Sequence, residues 1–576
     1  MEIAPIDIGV YILLYYVLVL LIATLALIFR IPLFGVYSIL GFVLVSVSVF
    51  FFYEIKPAIG IILILLIIIV TSVVVSGVFF DPSWDGNSYR KTSIYMLAMG
   101  WNPVYEKFAS SVYQFTVNSG FTGTFYLHNP AMWAFWYDTY PKADLLFAAV
   151  IYLLTGNIES GKAFNILFIT ALFTIAYTLL KDLFKLKRYQ ALMLGFALTI
   201  SPVSLAQVFT YYNDGALAAM VFIFVASCVY LMMYPDGIWA KHCWIAMFLT
   251  VIIGFNFKLS APLFFAIFMI PFYFYQIYIH YKKHLIRACI NITIFFTACV
   301  VSSLVFFGAT SYLVNTIRFQ NPVFGSLGRG AVDIITPNTP GFLLHEPRWS
   351  QFIHTMFGIM SNSGDGNLRT PFVLTNTDIV SMFSHMADFR IAGWGGLFSG
   401  IFLISVLIIN IYLIKSYENR NLVYWIAASL VFLIFAPILF IPGLWWARYY
   451  PHPYILTVIA LVILFCWLNN AKHRRAKFIS VTLSAIMSLL IILNVAPNII
   501  SMHSRWDRAV QIRDNFEDFQ RVNADRLIRI RINYDLYGPM ISLIDAGITN
   551  FIVDPNLYEF DGILLAPIDI PFRFEE

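Results

Sequence analysis

Phe79–Trp101 reads FFDPSWDGNSYRKTSIYMLAMGW and continues directly from the apolar run Ala58–Phe80. That run is long enough to cross a bilayer, which takes about 20 residues. Where it stops, two carboxylates follow, Asp81 and Asp85, at i and i+4. Pro82, Trp84 and Gly86 around them suit a turn at a membrane surface. Such a pair has two readings. It is either the polar end of a helix or the acid of an active site in the first external loop. The rest of the chain decides between them.

The composition is that of a polytopic membrane protein. Of 576 residues, 60% are hydrophobic and 12% charged, and mean hydropathy is +0.79; soluble domains carry about 25% charged residues. The net charge is only +5, and the basic residues cluster in short loops. That is an orientation signal rather than a nucleic-acid footprint, and no nucleic-acid partner is expected. Cys228, Cys243, Cys289, Cys299 and Cys466 lie in or beside apolar runs without a CxxC. They read as small core residues, with neither a disulfide framework nor a metal cluster. Met1–Pro5 lacks a basic leader, so the first apolar run is expected to be a span and not a cleaved signal.

Apolar runs predict an all-α bundle of about thirteen spans: 8–29, 33–53, 58–80, 160–184, 189–208, 215–234, 243–257, 259–280, 288–310, 393–415, 422–441, 451–469 and 477–497. The basic loops KDLFKLKR (181–188), HYKKHLIR (280–287), KSYENR (415–420) and KHRRAK (472–477) then share one side. By the positive-inside rule that side is the cytoplasm. The N-terminus is inside, the C-terminus outside, and Arg30 is the one exception. Three long external pieces result, 81–159, 312–392 and 498–576. In the first, 89–99 and 144–154 read as amphipathic surface helices. In the last, 528–534, 540–547 and 550–553 read as strand, helix and strand of a small external α/β domain. The chain divides at 57 and 497: two N-terminal spans, a transmembrane and loop module over 58–497, and the tail.

Several charged residues fall at span ends on that outer face. Lys142 follows Tyr140-Pro141, Asp214 sits in the turn Tyr212-Asn213-Asp214-Gly215, and Lys258 lies at a span boundary. Arg448 lies in Trp445-Trp446-Ala447-Arg448-Tyr449-Tyr450. Each alone reads as turn chemistry or a snorkelling anchor. Together they place the acids Asp81, Asp85 and Asp214 with the cations Lys142, Lys258 and Arg448. A carboxylate can take the proton of a sugar hydroxyl. A guanidinium can fork two phosphate oxygens. Trp84, Tyr212, Asn213 and Tyr449 would wall the substrate, and a divalent metal held by Asp85 and Asp214 is a further reading.

In this order of features the chain resembles the GT-C superfamily of membrane glycosyltransferases, in particular its protein mannosyltransferase and lipid A aminoarabinose transferase branch. The resemblance covers roughly 58–215. It rests on the Asp85 loop, on Tyr140–Phe168 (YPKADLLFAAVIYLLTGNIESGKAFNILF) and on Asp214. Lys142-Ala143-Asp144 departs from the branch, which has two prolines after its lysine. The resemblance implies a GT-C-like bundle in a cell inner (plasma) membrane. It also implies inverting transfer from a polyprenyl-phosphate sugar to a glycan, lipid or protein acceptor of the cell envelope. Asp85 would be the base, with Asp81 competing for that post. The other readings of the same layout are an O-antigen-type polymerase or ligase and a lipid-linked glycan flippase.

Overall fold

The computed structural model describes residues 3–111, 134–328, 330–362, 364, 366–384, 388–523, 526–532, 537–554 and 557–575. Among these, nine helices are long and apolar enough to cross a membrane. They are Pro5–Ile28, Ile55–Val78, Ile158–Leu183, Asp214–Met233, Ala261–Lys282, Ile286–Phe306, Phe398–Lys415, Leu422–Leu439 and Arg474–Asn523. Val36–Phe52, Ala240–Phe255 and Tyr454–Asn470 are apolar but shorter. The chain is a multi-pass membrane protein. Twelve of the thirteen segments read from sequence coincide with one of these helices. The other, 189–208, is broken into Arg188–Thr199 and Pro202–Gln207. Pro202 opens the second piece and the Ser201 hydroxyl accepts from the Ser204 amide at 3.2 Å, a Pro start with a serine cap.

The first helix sits inside the bundle. Pro5–Ile28 packs on Ala163–Leu183, Ala240–Phe255 and Val36–Phe52, and most of its residues are buried. Ile55–Val78 is the more open of the two, with Ile67 and Val74 exposed. In hydrocarbon such packing comes from close contact and not from exclusion of water.

Two segments read as amphipathic surface helices are helical but buried. Lys91–Ala98 packs against Ala143–Thr155, whose residues Ala143 to Ile151 are all buried. What covers the first of them is the chain's own tail. The helix Arg474–Asn523 runs without interruption through Pro497, so the boundary read at 497 falls inside it. It leads to a four-stranded sheet, β1 Ile528–Ile530, β2 Phe551–Val553, β3 Gly562–Leu564 and β4 Ile570–Phe574, in the order β2-β1-β4-β3. β1 pairs in parallel with β2, and the helix Gly538–Asp545 lies between them in sequence. This matches the strand, helix, strand reading; β3 and β4 were not read, and Tyr534 lies outside the described residues.

The tail helix docks on the acid-bearing loop. Lys91 Nζ donates to Ser542 Oγ at 3.2 Å, and the Ile158 amide donates to Asp545 Oδ2 at 3.0 Å. Gly538 is required at this contact, because a Cβ there would come within 2.4 Å of Asn87 Cα. Burial, with Glu159 adding to it, pushes the Asp545 carboxyl up to about 6. The docked state therefore holds this proton more tightly than an undocked one. Docking gains stability as pH falls through about 6 and is weakest above it. The protection factors of 538–545, taken relative to the intrinsic exchange rate at each pH, should be several-fold higher at pH 5 than at pH 7.5, and Asp545→Asn should remove the difference. Equal protection factors at both pH values in the native chain would contradict this.

Candidate functional site

Asp81 and Asp85 have different jobs. Asp81 is fully buried and accepts two backbone amides, Ser83 at 2.7 Å and Tyr211 at 2.8 Å. It thereby ties the first loop to the turn before Asp214. Gly86 makes room for this carboxylate, since a Cβ at Gly86 would lie 1.8 Å from Asp81 Oδ2. The glycine thus admits a neighbouring side chain rather than a ligand. Beside it, Glu159 takes Lys91 on one oxygen and Lys162 on the other, both at 2.5 Å and all buried. Burial raises the Asp81 pKa, and Lys91 and Lys162 work against that rise. The arrangement is a charge-balanced clamp.

Asp85 precedes one π-helical turn, Gly86–Arg90, which leads into Lys91–Ala98. It accepts the Tyr89 hydroxyl at 3.1 Å and keeps 15% of its side chain exposed. Arg448 lies in the turn Ala447–Tyr449, just before the helix Tyr454–Asn470. Its Nη1 is 3.8 Å from Asp85 Oδ2 and 3.6 Å from Asp214 Oδ2, and its Nε is 3.6 Å from Asp388 Oδ2. These separations exceed a hydrogen bond. Nε and Nη1 are buried without a hydrogen-bond partner among the described residues. The guanidinium sits by the rings of Trp446, Tyr212 and Tyr449, at 4.3, 4.4 and 5.1 Å.

Asp214 opens the helix Asp214–Met233 and pairs with Lys258 from the turn between Ala240–Phe255 and Ala261–Lys282. Lys258 also lies 4.1 Å from the Tyr449 ring. Neither cation snorkels. Burial lowers the Lys258 pKa, opposed by Asp214. Burial would lower Arg448 too, but Asp388, Tyr449 and Asp214 hold it above its ordinary value. Asp388 is itself raised by burial, with Arg448 and the Trp446 hydrogen bond opposing. Three carboxylates thus face two cations in one buried cluster at the helix ends.

Of the residues read from sequence, Asp85, Asp214, Lys258, Arg448, Tyr212 and Tyr449 come together. Asn213 stands next to them, donating to Asp144 Oδ2 at 3.0 Å and to the Phe257 carbonyl at 2.9 Å. Asp144 in turn is paired with Arg90. Trp84 is 45% exposed and belongs to no wall of the cluster. Lys142 is not brought to it either. Its Nζ is spent on the carbonyls of Tyr140 at 2.9 Å, Asp138 at 3.2 Å and Thr310 at 3.4 Å, and burial lowers it to about 7. The position between Asp85 and Asp214, read as a metal site, is where Arg448 places its Nη1. Among the described residues no group of three or more His, Cys, Asp or Glu is arranged to hold a metal ion. Asp388 and Trp446 were missed as site residues; an acid in a loop without periodicity gives no signal.

Along the helix Tyr454–Asn470 runs an apolar groove of about 310 Å³, lined by residues such as Ala176, Leu180, Phe222, Leu430, Ile455 and Trp467. Its lining extends from Ile455 to Asn470 on this helix, about 22 Å at 1.5 Å per residue.

No family model and no curated protein matches the chain. One solved structure is similar to it, the crystal structure of ArnT from Cupriavidus metallidurans bound to undecaprenyl phosphate. The identity is 13%, the TM-score is 0.39, and 86% of each chain is covered.

Proposed function

We propose that the protein is a membrane glycosyltransferase that moves a sugar from a polyprenyl-phosphate-linked donor to a cell-envelope acceptor at the external face. The observation that carries this reading is Arg448. It is a buried guanidinium with unpartnered N–H groups, set beside the carboxylate Asp85 and in the turn just before the helix Tyr454–Asn470, which lines an apolar groove. A phosphate would take hydrogen bonds from Arg448, with Lys258 adding charge. A prenyl chain suits the groove. Asp85 would take the proton of an acceptor hydroxyl. The oxygen then attacks the anomeric carbon from the face opposite the phosphate, and the carbon–oxygen bond to phosphate breaks. The sugar is inverted, and polyprenyl phosphate leaves with the electron pair, its charge met by Arg448 and Lys258. Tyr89, hydrogen-bonded to Asp85, orients the base.

The direct test is transfer by the purified protein in vesicles supplied with a polyprenyl-phosphate sugar and an envelope extract. Formation of a new glycoside with release of polyprenyl phosphate supports the reading, and release of neither would oppose it. The inner-membrane orientation is tested separately in a chain whose native cysteines are replaced. Trp84→Cys should react with an impermeant reagent added outside, and Lys283→Cys should not. The reverse pattern would place the site on the wrong side for an external acceptor.

A further inference from the structure

We infer that Asp388, in the distal loop, is a positioning residue that fixes the orientation of Arg448 and so sets which edge of the guanidinium meets the donor phosphate. This inference rests on the proposed transferase reading. An arginine carries five N–H donors in a rigid planar fork. Here its Nε faces Asp388 Oδ2 at 3.6 Å, and its Nη1 faces Asp85 and Asp214. Asp388 is held from its other oxygen, where Trp446 Nε1 donates to Oδ1 at 2.8 Å. Trp446 also lies 4.3 Å from the guanidinium carbon. One tryptophan thus both stacks on Arg448 and aims the carboxylate that holds its Nε side. With the Nε edge in an ion pair with Asp388, Nη1 lies beside Asp85 and Asp214, toward the reacting region. Asp388 touches Arg448 and not the region between Asp85 and Asp214, so its effect is exerted through the arginine.

The loop around Asp388 is built to hold it there. The Arg390 amide donates to Asn362 Oδ1 at 3.0 Å, and the Arg390 guanidinium binds the Asn338 carbonyl and side chain at 3.1 and 2.7 Å. Arg390 also lies 5.1 Å from the Trp446 ring. Behind Asp388 and Arg448 a cavity of about 30 Å³, bordered by Asn494 and Asn498, has room for about one water and no ligand. Among the described residues, Arg448 and Trp446 are the partners of this carboxylate at the site.

The test uses the full-length protein in vesicles, comparing native, Asp388→Asn, Trp446→Phe and the double variant. Asp388→Asn keeps an acceptor for Trp446 and removes the charge that aligns Arg448. Misplacement of about 1 Å can cost about 10²-fold. A fall in kcat of about 10- to 100-fold, with KM for the donor changed less than about threefold, is expected. Trp446→Phe keeps a ring on Arg448 and frees Asp388, so kcat should fall about tenfold. The double variant should be little worse than Asp388→Asn alone, because both act through one arginine. Unchanged kcat in Asp388→Asn overturns the inference, as do losses that simply multiply in the double variant. Where Asp388→Asn does not fold, Trp446→Phe carries the test alone, and unchanged kcat there overturns it. Absence of transfer by the native protein refutes the transferase reading instead.

Discussion

Asp85→Asn lowers sugar transfer by about 10²–10⁴-fold, the usual contribution of a general base, and leaves the fold and the binding of polyprenyl phosphate in place. The substitution keeps the shape and the acceptor for Tyr89 while removing the charge. Donor binding survives because Arg448 and Lys258 are untouched. Asp81→Asn behaves differently. Asp81 is fully buried and accepts two backbone amides that join loops far apart in sequence. Its amide form presents two donors to a pocket built of donors. The expected result is a loss of thermal stability and yield, with activity per folded molecule nearly preserved. Measuring melting temperature and kcat on both variants separates the two roles. A stable Asp81→Asn with abolished transfer would move the base to Asp81.

Arg448→Ala has the second large effect, and it is twofold. Among the described residues Asp214 keeps its pair with Lys258, while Asp85 and Asp388 lose the ion pair that Arg448 gives them. Removing one partner of a buried ion pair costs about 3–5 kcal/mol, so the melting temperature falls clearly. Binding of polyprenyl phosphate is lost as well, while a prenyl alcohol of equal length, which lacks the phosphate, binds as weakly to the variant as to the native chain. Arg448→Lys restores little, since an ammonium cannot reach Asp388 and the opposite carboxylates at once. Full retention of phosphate binding by Arg448→Ala would contradict this account.

Much of the cluster is legible in the sequence because its members sit at helix ends. Hydropathy locates the ends, and counting spans puts Asp85, Asp214, Lys258 and Arg448 on one face. That is enough to bring them into contact once the helices pack. What is not legible depends on contacts that hydropathy does not encode. Asp81 and Asp85 look alike in the sequence; they differ because the Tyr211 amide, 130 residues away, claims the first. Lys142 reads as a phosphate cation, but the backbone carbonyls of Asp138, Tyr140 and the distant Thr310 take its ammonium. Asp388 lies in a Gly-rich loop with no period. The helix Arg474–Asn523 passes through Pro497, where a sequence reading stops the span, because burial of Asn494, Val495 and Pro497 against the bundle offsets the lost amide hydrogen bond, a cost of about 3 kcal/mol that the sequence alone shows unopposed. β3 and β4 are short, and the second contains Pro571, so strand patterning misses both.

The central claim is that the Asp85–Arg448 cluster consumes a lipid-linked sugar, and the composition of the polyprenyl lipids in cells tests it most directly. Lipids would be extracted from cells lacking the gene and from the same cells expressing either the native protein or Asp85→Asn at equal levels. Mass spectrometry would then compare the polyprenyl-phosphate sugars. The account predicts one such species that accumulates in the cells lacking the gene, accumulates equally with Asp85→Asn, and is cleared by the native protein. Identical lipid profiles in all three would contradict it.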